Sequence, residues 1–195
     1  MKNRMRIVLA EDEVALHPFF TDALERLGHE VLSIATTGRQ LVSACEQLQP
    51  DLVITDVAMP ELNGLDAAVE IYAHRAVPII VVSALQDESV VEQAGSAHVM
   101  AYLIKPISEA RLAVAITIAR ERFADIKSLH DEVANLRQAI EDRKVIERAK
   151  GLLMTRQKLS EPEAFRQLQK IARNGSVKMV EVANILLATD GATIR

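Results

Sequence analysis

Residues 53–64 read VITDVAMPELNG. Val53, Ile54 and Thr55 are strand formers; they deliver one carboxylate, Asp56, and the chain turns at once through Met59 and Pro60 to Gly64. A lone Asp at the mouth of an apolar strand is costly to hold unless something there uses its charge.

Similar short, β-branched runs lie on either side, at 5–10 (MRIVLA), 31–35 (VLSIA), 77–82 (VPIIVV) and 100–104 (MAYLI), with 52–55 between them. Amphipathic stretches near 14–27, 38–48, 64–74 and 87–94 separate them. Strands apolar along their whole length, alternating with helices, indicate a parallel sheet covered on both faces. The expected fold is α/β: a doubly wound, five-stranded parallel sheet of the flavodoxin type over residues 1–122. Its site belongs beyond the carboxyl ends of the central strands.

Those ends carry the chemistry. The first run is followed by Glu11, Asp12 and Glu13, the third by Asp56, the fourth by Ser83 and Ala84, and the fifth by Lys105 and Pro106. Clustered carboxylates repel unless a cation sits among them, and hard oxygen ligands favour Mg²⁺. Asp56 is then either a metal ligand or a nucleophile that accepts a phosphoryl group. Ser83 and Lys105 favour the nucleophile, because a metal alone needs neither, whereas phosphoryl oxygens need donors and positive charge.

Composition narrows the class. Hydrophobic residues make up 49% of the 195, enough for a real core, and no apolar run approaches the ~20 needed to span a bilayer. The opening MKNRMRIVLAEDE meets acids too early for a signal peptide, so a cytoplasmic location without membrane attachment is expected. Cys45 alone excludes an internal disulfide and reads as a small apolar helix residue; the five histidines lack metal-ligand spacing, and His17 reads as a solvated or packing residue. The net charge of −4 hides a split. Residues 1–125 hold 10 Lys/Arg against 18 Asp/Glu, and residues 143–178 hold 10 against 3. The basic half suits a polyanionic partner.

From Ser108 a helical pattern continues beyond the first domain. Ile126, Leu129, Val133, Leu136 and Ile140 recur at heptad spacing. This seam either packs on the chain's own C-terminal helices or forms a homodimeric coiled coil, and the connector is set at 123–141. Three helices are expected over 142–195. The first covers about 142–156. The second starts at Ser160, with Glu163 completing a capping box, and ends near Gly175; the third starts near Ser176 with Val180, Ala183 and Leu187 on one stripe.

The acidic pair, the strand-end Asp in DVAMPELNG, the Ser after VV and the Lys-Pro after AYLI stand in the order and spacing of a known family. Residues 5 to about 122 resemble the receiver domain of two-component response regulators. The resemblance implies that Asp56 is the phosphoacceptor, served by a sensor histidine kinase. It makes Asp12 a direct Mg²⁺ ligand with Glu11 assisting, and Ala58 a carbonyl ligand. Ser83, Ala84 and Lys105 would hold the phosphoryl group, and Ser83 with Tyr102 would form the switch. Glu11 stands where Asp is more usual. Ala58 and Leu85 flank the line of attack where many receivers carry polar groups, so the phosphoryl group is expected to last minutes or longer.

The last 50 residues contain AKGLLM at 149–154, preceded by Arg143 and Ile146 and followed by Ser160, Glu163, Ala164, Phe165, Leu168, Ala172, Val182 and Ala183. They resemble the ANTAR output domain, which implies binding to stem-loop RNA and control of transcription antitermination. Arg143, Arg148, Lys150, Gly151, Arg156 and Lys158 are the expected RNA-binding residues, the basic ones as phosphate contacts, and Ala149 and Gly151 would let another backbone come close. With six aromatic residues and no Trp, unpaired bases cannot be held mainly on aromatic platforms, and Arg stacking with Lys/Arg phosphate contacts must substitute. The expected protein is a phosphorylation-controlled RNA-binding regulator without enzymatic turnover of its own, dimeric at least when phosphorylated. The alternatives are an output domain that binds DNA or a protein partner.

Overall fold

The computed structural model describes residues 4–84 and 98–191. The chain falls into two compact units, Met1–Lys127 and Ser128–Arg195.

In the first unit, β1 (Arg6–Ala10), β2 (Glu30–Ala35), β3 (Leu52–Asp56), β4 (Ile79–Ser83) and β5 (Val99–Ile104) form one parallel sheet in the order β2-β1-β3-β4-β5. Successive side chains of a strand point to opposite faces. Val8, Ala10, Val53, Ile79 and Val81 therefore join one core with α2 (Gly38–Leu48) and α3 (Gly64–His74). Ile7, Leu9, Leu52, Ile54, Ile80 and Val82 join the other, with α1 (His17–Arg26) and the first turns of α4 (Glu109–Gln157). Two covered faces are why these runs are apolar throughout rather than alternating. The crossovers change direction between β1 and β3, which opens a crevice at their carboxyl ends.

The differences from expectation are local. The helix expected from residue 14 begins as a 3-10 turn, Val14–Leu16, and becomes α-helical from His17, with Pro18 in the first turn where its missing N–H does no harm. The fourth strand starts at Ile79 rather than Val77, because Pro78 cannot donate to the ladder. The helix expected near 87–94 and the flanking residue Leu85 lie outside the described residues. Cys45 is buried as expected, and burial pushes its thiol up to about 12, far from reactivity.

The second unit is helical. The segment expected to begin near 142 is the end of α4, which runs unbroken through 49 residues because it contains no Pro and one Gly, Gly151. With α5 (Glu161–Gly175) and α6 (Met179–Gly191) it encloses Ala149, Leu153, Ala164, Leu168, Ala172, Val182 and Ala183. The apolar stripe of α6 is centred on Val182, Ala183, Leu186 and Leu187; Val180 is half-buried outside that cluster. The capping box is present: the Ser160 N–H donates to Glu163 Oε2 at 2.8 Å, and the Ser160 hydroxyl donates to the same oxygen at 2.6 Å. Among the described residues no helix is long and apolar enough to cross a membrane.

Candidate functional site

Asp56 is the last residue of β3, and both of its oxygens are engaged. Oδ1 accepts from the Ala58 N–H at 3.1 Å, and Oδ2 lies 2.5 Å from Lys105 Nζ. The same ammonium donates to Glu11 Oε1 at 2.8 Å. Glu11, the residue after β1, is 1% exposed. Its second oxygen, Oε2, lies 2.8 Å from the ammonium as an ion pair but outside hydrogen-bond geometry, and it has no hydrogen-bond partner.

Three strand ends thus converge as expected, with Asp12 exposed at the rim. One oxygen from each of Glu11, Asp12 and Asp56 can be chosen so that all lie within 4.8 Å of one another. Three carboxylates face one ammonium, and a buried carboxylate oxygen is left without a hydrogen bond. This donor set fits a small, hard divalent cation such as Mg²⁺. The electrostatics agree. Burial raises the Glu11 carboxyl above its ordinary range, with Lys105 opposing. Burial pushes the Lys105 ammonium down, but hydrogen bonds and charges from Asp56 and Glu11 outweigh it, so its affinity for protons ends above the usual value.

The backbone that aims Asp56 is held by its neighbours. The Thr55 hydroxyl donates to the Asp56 carbonyl at 2.9 Å, and the Val57 N–H donates to the Val82 carbonyl at 3.1 Å. Gly64 folds the turn back onto the strand end; a Cβ there would stand 1.8 Å from the Asp56 carbonyl oxygen. Sequence reasoning marked Gly64 as the end of a turn and missed this contact. It also missed His17, whose ring Nε2 donates to the Glu11 backbone carbonyl at 2.8 Å and steadies the acidic loop. Ser83 ends β4, buried, and its carbonyl accepts from the Lys105 N–H at 2.8 Å. Ala84 follows, exposed, and Tyr102 is half-buried on β5 against the core shared with α2 and α3.

In the second unit Arg143, Arg148, Arg156 and Lys158 are exposed, as phosphate contacts must be. Lys150 is not. It is 6% exposed, and its ammonium lies 2.7 Å from Glu161 Oε1 and 2.9 Å from Glu147 Oε2, 6.0 Å from the centre of the Phe165 ring. The hydrogen bond it donates to Glu161, then those it donates to Glu147, hold its proton above the usual range. Lys150 straps α4 to α5 and is withdrawn from the expected RNA contacts. Gly151 is exposed, and a Cβ there would meet no described atom of the chain itself within 4 Å.

The heptad residues divide. Ile126 packs, half-buried, against the core of the first unit, whereas Leu129, Val133, Leu136 and Ile140 are 44–61% exposed and α5 and α6 do not cover them. The alternative in which the seam packs on the chain's own C-terminal helices therefore fails.

A doubly wound sheet with an Asp, a second buried acid and a Lys at its carboxyl edge is a receiver-like architecture. The sequence matches the response regulator receiver domain over residues 7–117 and the ANTAR domain over residues 134–187. It is 42% identical over 186 residues to the transcriptional regulatory protein PdtaR of Mycobacterium tuberculosis, covering 95% of this chain and 91% of that protein. It is 33% identical over 112 residues to the chemotaxis protein CheY of Thermotoga maritima, covering 57% of this chain and 93% of the other. Among solved structures, the signal receiver domain of a modulated diguanylate cyclase from Desulfovibrio desulfuricans superposes with a TM-score of 0.59 at 25% identity, over 63% of this chain and 98% of that one. The chain belongs to the response regulators, and it joins a receiver domain to an ANTAR domain.

Proposed function

We propose that this response regulator accepts a phosphoryl group on Asp56 from a sensor histidine kinase and in that state binds stem-loops in nascent RNA to control transcription termination. The observation that carries the reading is the Lys105 ammonium held between the Asp56 carboxylate and buried Glu11, in a chain whose other half matches the ANTAR family. An Asp56 oxygen attacks phosphorus; the new P–O bond forms as the P–N bond of the kinase's phosphohistidine breaks, and the electron pair leaves on the imidazole nitrogen. Mg²⁺, held by Asp12, Asp56 and the Ala58 carbonyl with Glu11 assisting, would supply positive charge to the phosphoryl oxygens. Lys105 exchanges its bond to the carboxylate for one to a phosphoryl oxygen, and Ser83 and the Ala84 backbone donate to the others. Ser83 and Tyr102 reposition together, and the change passes to α4.

Residues 1–122 act as the receiver, 123–141 as the connector and 142–195 as the output unit. The exposed residues Leu129, Val133, Leu136 and Ile140 pair two copies. Two output units on two stem-loops then bind through effective concentration, and Arg143, Arg148, Arg156 and Lys158 contact phosphates. The test is a titration of the full chain against leader RNAs and matching duplex DNA, with and without a small phosphodonor and Mg²⁺. RNA binding that strengthens with the donor and no longer responds to it in Asp56→Ala is the expected result. Equal affinity for duplex DNA makes the output unit a DNA reader, and binding to neither makes it a protein-docking module.

A further inference from the structure

Resting on the Mg²⁺ reading above, we infer that His17 is a positioning residue for the metal site: its ring holds the peptide that joins Glu11 to Asp12, and so sets how tightly the acidic cluster binds the ion. The ring Nε2 lies 2.8 Å from the Glu11 backbone carbonyl. A carbonyl oxygen only accepts, so Nε2 carries the hydrogen. On the other side, the Glu11 N–H donates to the Ala35 carbonyl at 2.9 Å. Both backbone groups of Glu11 are thus tied, one to the last residue of β2 and the other to the first residue of α1.

The acidic loop needs that second tie. Glu11 is buried, whereas Asp12, the next residue, is exposed. The peptide between them carries the chain from core to solvent, and its plane decides where the Asp12 carboxylate stands relative to those of Glu11 and Asp56. Mg²⁺ demands near-octahedral geometry, so a ligand free to swing binds it poorly. Two other hydrogen bonds in the loop leave this plane free. The Leu16 N–H donates to the Glu13 carbonyl at 2.9 Å and closes the 3-10 turn further on. The Glu13 N–H reaches Glu11 Oε1 at 3.4 Å, an oxygen that already accepts from Lys105.

A group that positions others must itself be held. His17 is half-buried at the start of α1, and Pro18 beside it has its φ locked by its own ring. Phe20, in the same turn, is fully buried in the core and meets Phe19 edge to face, with ring centroids 5.4 Å apart. The imidazole therefore stands on a rigid base. Outer partners that orient metal ligands in this way govern metal affinity without touching the ion.

Two substitutions separate the hydrogen bond from the ring. His17→Phe keeps a flat ring and has no N–H; His17→Gln has no ring and keeps a side-chain N–H of similar reach. Mg²⁺ is titrated calorimetrically into the full-length parent, both variants and Asp12→Asn, and urea melts without Mg²⁺ are run on each. The expected result is that His17→Phe binds Mg²⁺ about tenfold more weakly, while His17→Gln stays within about threefold of the parent. With a small phosphodonor, the Mg²⁺ concentration that gives half the maximal phosphorylation rate should rise about tenfold in His17→Phe, and the rate at saturating Mg²⁺ should hold. If the Phe variant does not fold, His17→Ala takes its place. Unchanged Mg²⁺ affinity in the variant without the N–H overturns the inference. So does an equal loss in His17→Phe and His17→Gln, which would make His17 a packing residue. A parent that binds Mg²⁺ no better than Asp12→Asn overturns the metal site itself, and the role of His17 falls with it.

Discussion

Lys105 and Lys150 are held alike, each ammonium between two carboxylates and mostly out of water, yet they serve different ends. At Lys105 the acids are the buried partners, with Glu11 and Asp56 side chains 1% and 8% exposed. At Lys150 the acids lie outside, with Glu147 and Glu161 53% and 64% exposed. Exposed carboxylates keep most of their hydration, so the cation closes a satisfied strap. Buried carboxylates lose it, and with Asp12 beside them they outnumber the one ammonium, so the cluster is left short of positive charge. A lysine between two acids thus marks chemistry only where the acids are buried and still lack a partner.

The comparison breaks most visibly when each lysine becomes methionine. Lys105→Met leaves Glu11 and Asp56 repelling in a buried crevice, and the first unit is expected to lose about 3 kcal/mol. Mg²⁺ should recover much of that loss, because a divalent ion replaces the missing charge. Lys150→Met exposes no buried acid; it is expected to cause a smaller loss, confined to the second unit and indifferent to Mg²⁺. Thermal melts of both variants with and without Mg²⁺ decide the matter. Equal responses to the ion would mean that the two clusters are of one kind.

The same contrast explains what could be seen in the sequence. Asp56, Glu11 and Lys105 each end a β-branched run, and a parallel sheet gathers such ends by topology alone, so the cluster was readable before any distance was known. Lys150 stands in a run with Arg148 and Arg156 and reads as one more surface cation. Its burial depends on Glu161, eleven residues on and across the turn into α5, a pairing that no periodicity encodes. Gly64 is visible as a turn, but its reason, the Asp56 carbonyl pressed against it, is tertiary. The unbroken α4 followed from a simple absence: without Pro, nothing stops the helix where one fold unit gives way to the next.

Gly151 sharpens the contrast beside Lys150. Glycine inside a helix costs about 1 kcal/mol relative to alanine, and no described neighbour would crowd a methyl group there. Gly151→Ala is therefore expected to stabilise the second unit by about that amount in a urea melt. If RNA affinity falls tenfold or more in the same variant while stability rises, the open backbone is a place of close approach for the RNA. Unchanged affinity removes Gly151 from the interface altogether.

The smallest effect is that of acid on the strap and the neighbouring cap. Glu161 is held below its ordinary carboxylate range by the hydrogen bond from Lys150, and Glu163 by the Ser160 hydroxyl and then the Ser160 N–H. A carboxyl whose folded value lies below its unfolded 4.5 contributes stability that is full above that pH and lost as the pH falls through the folded value. Lys150 works at the other limit: its value is raised above 10.5, so its share is full below that pH and lost as the pH rises through the folded value. The second unit should therefore hold a plateau of stability from about pH 4.5 to 10.5 and weaken on both sides. Removing Lys150 relieves the pull on Glu161 but leaves Ser160 acting on Glu163. Lys150→Met should accordingly flatten the alkaline limb and only part of the acid limb, and Ser160→Ala in the same chain should take away more of the latter. An acid limb that Lys150→Met leaves as steep as in the parent would mean that the cap alone sets the acid response and that the strap adds nothing there.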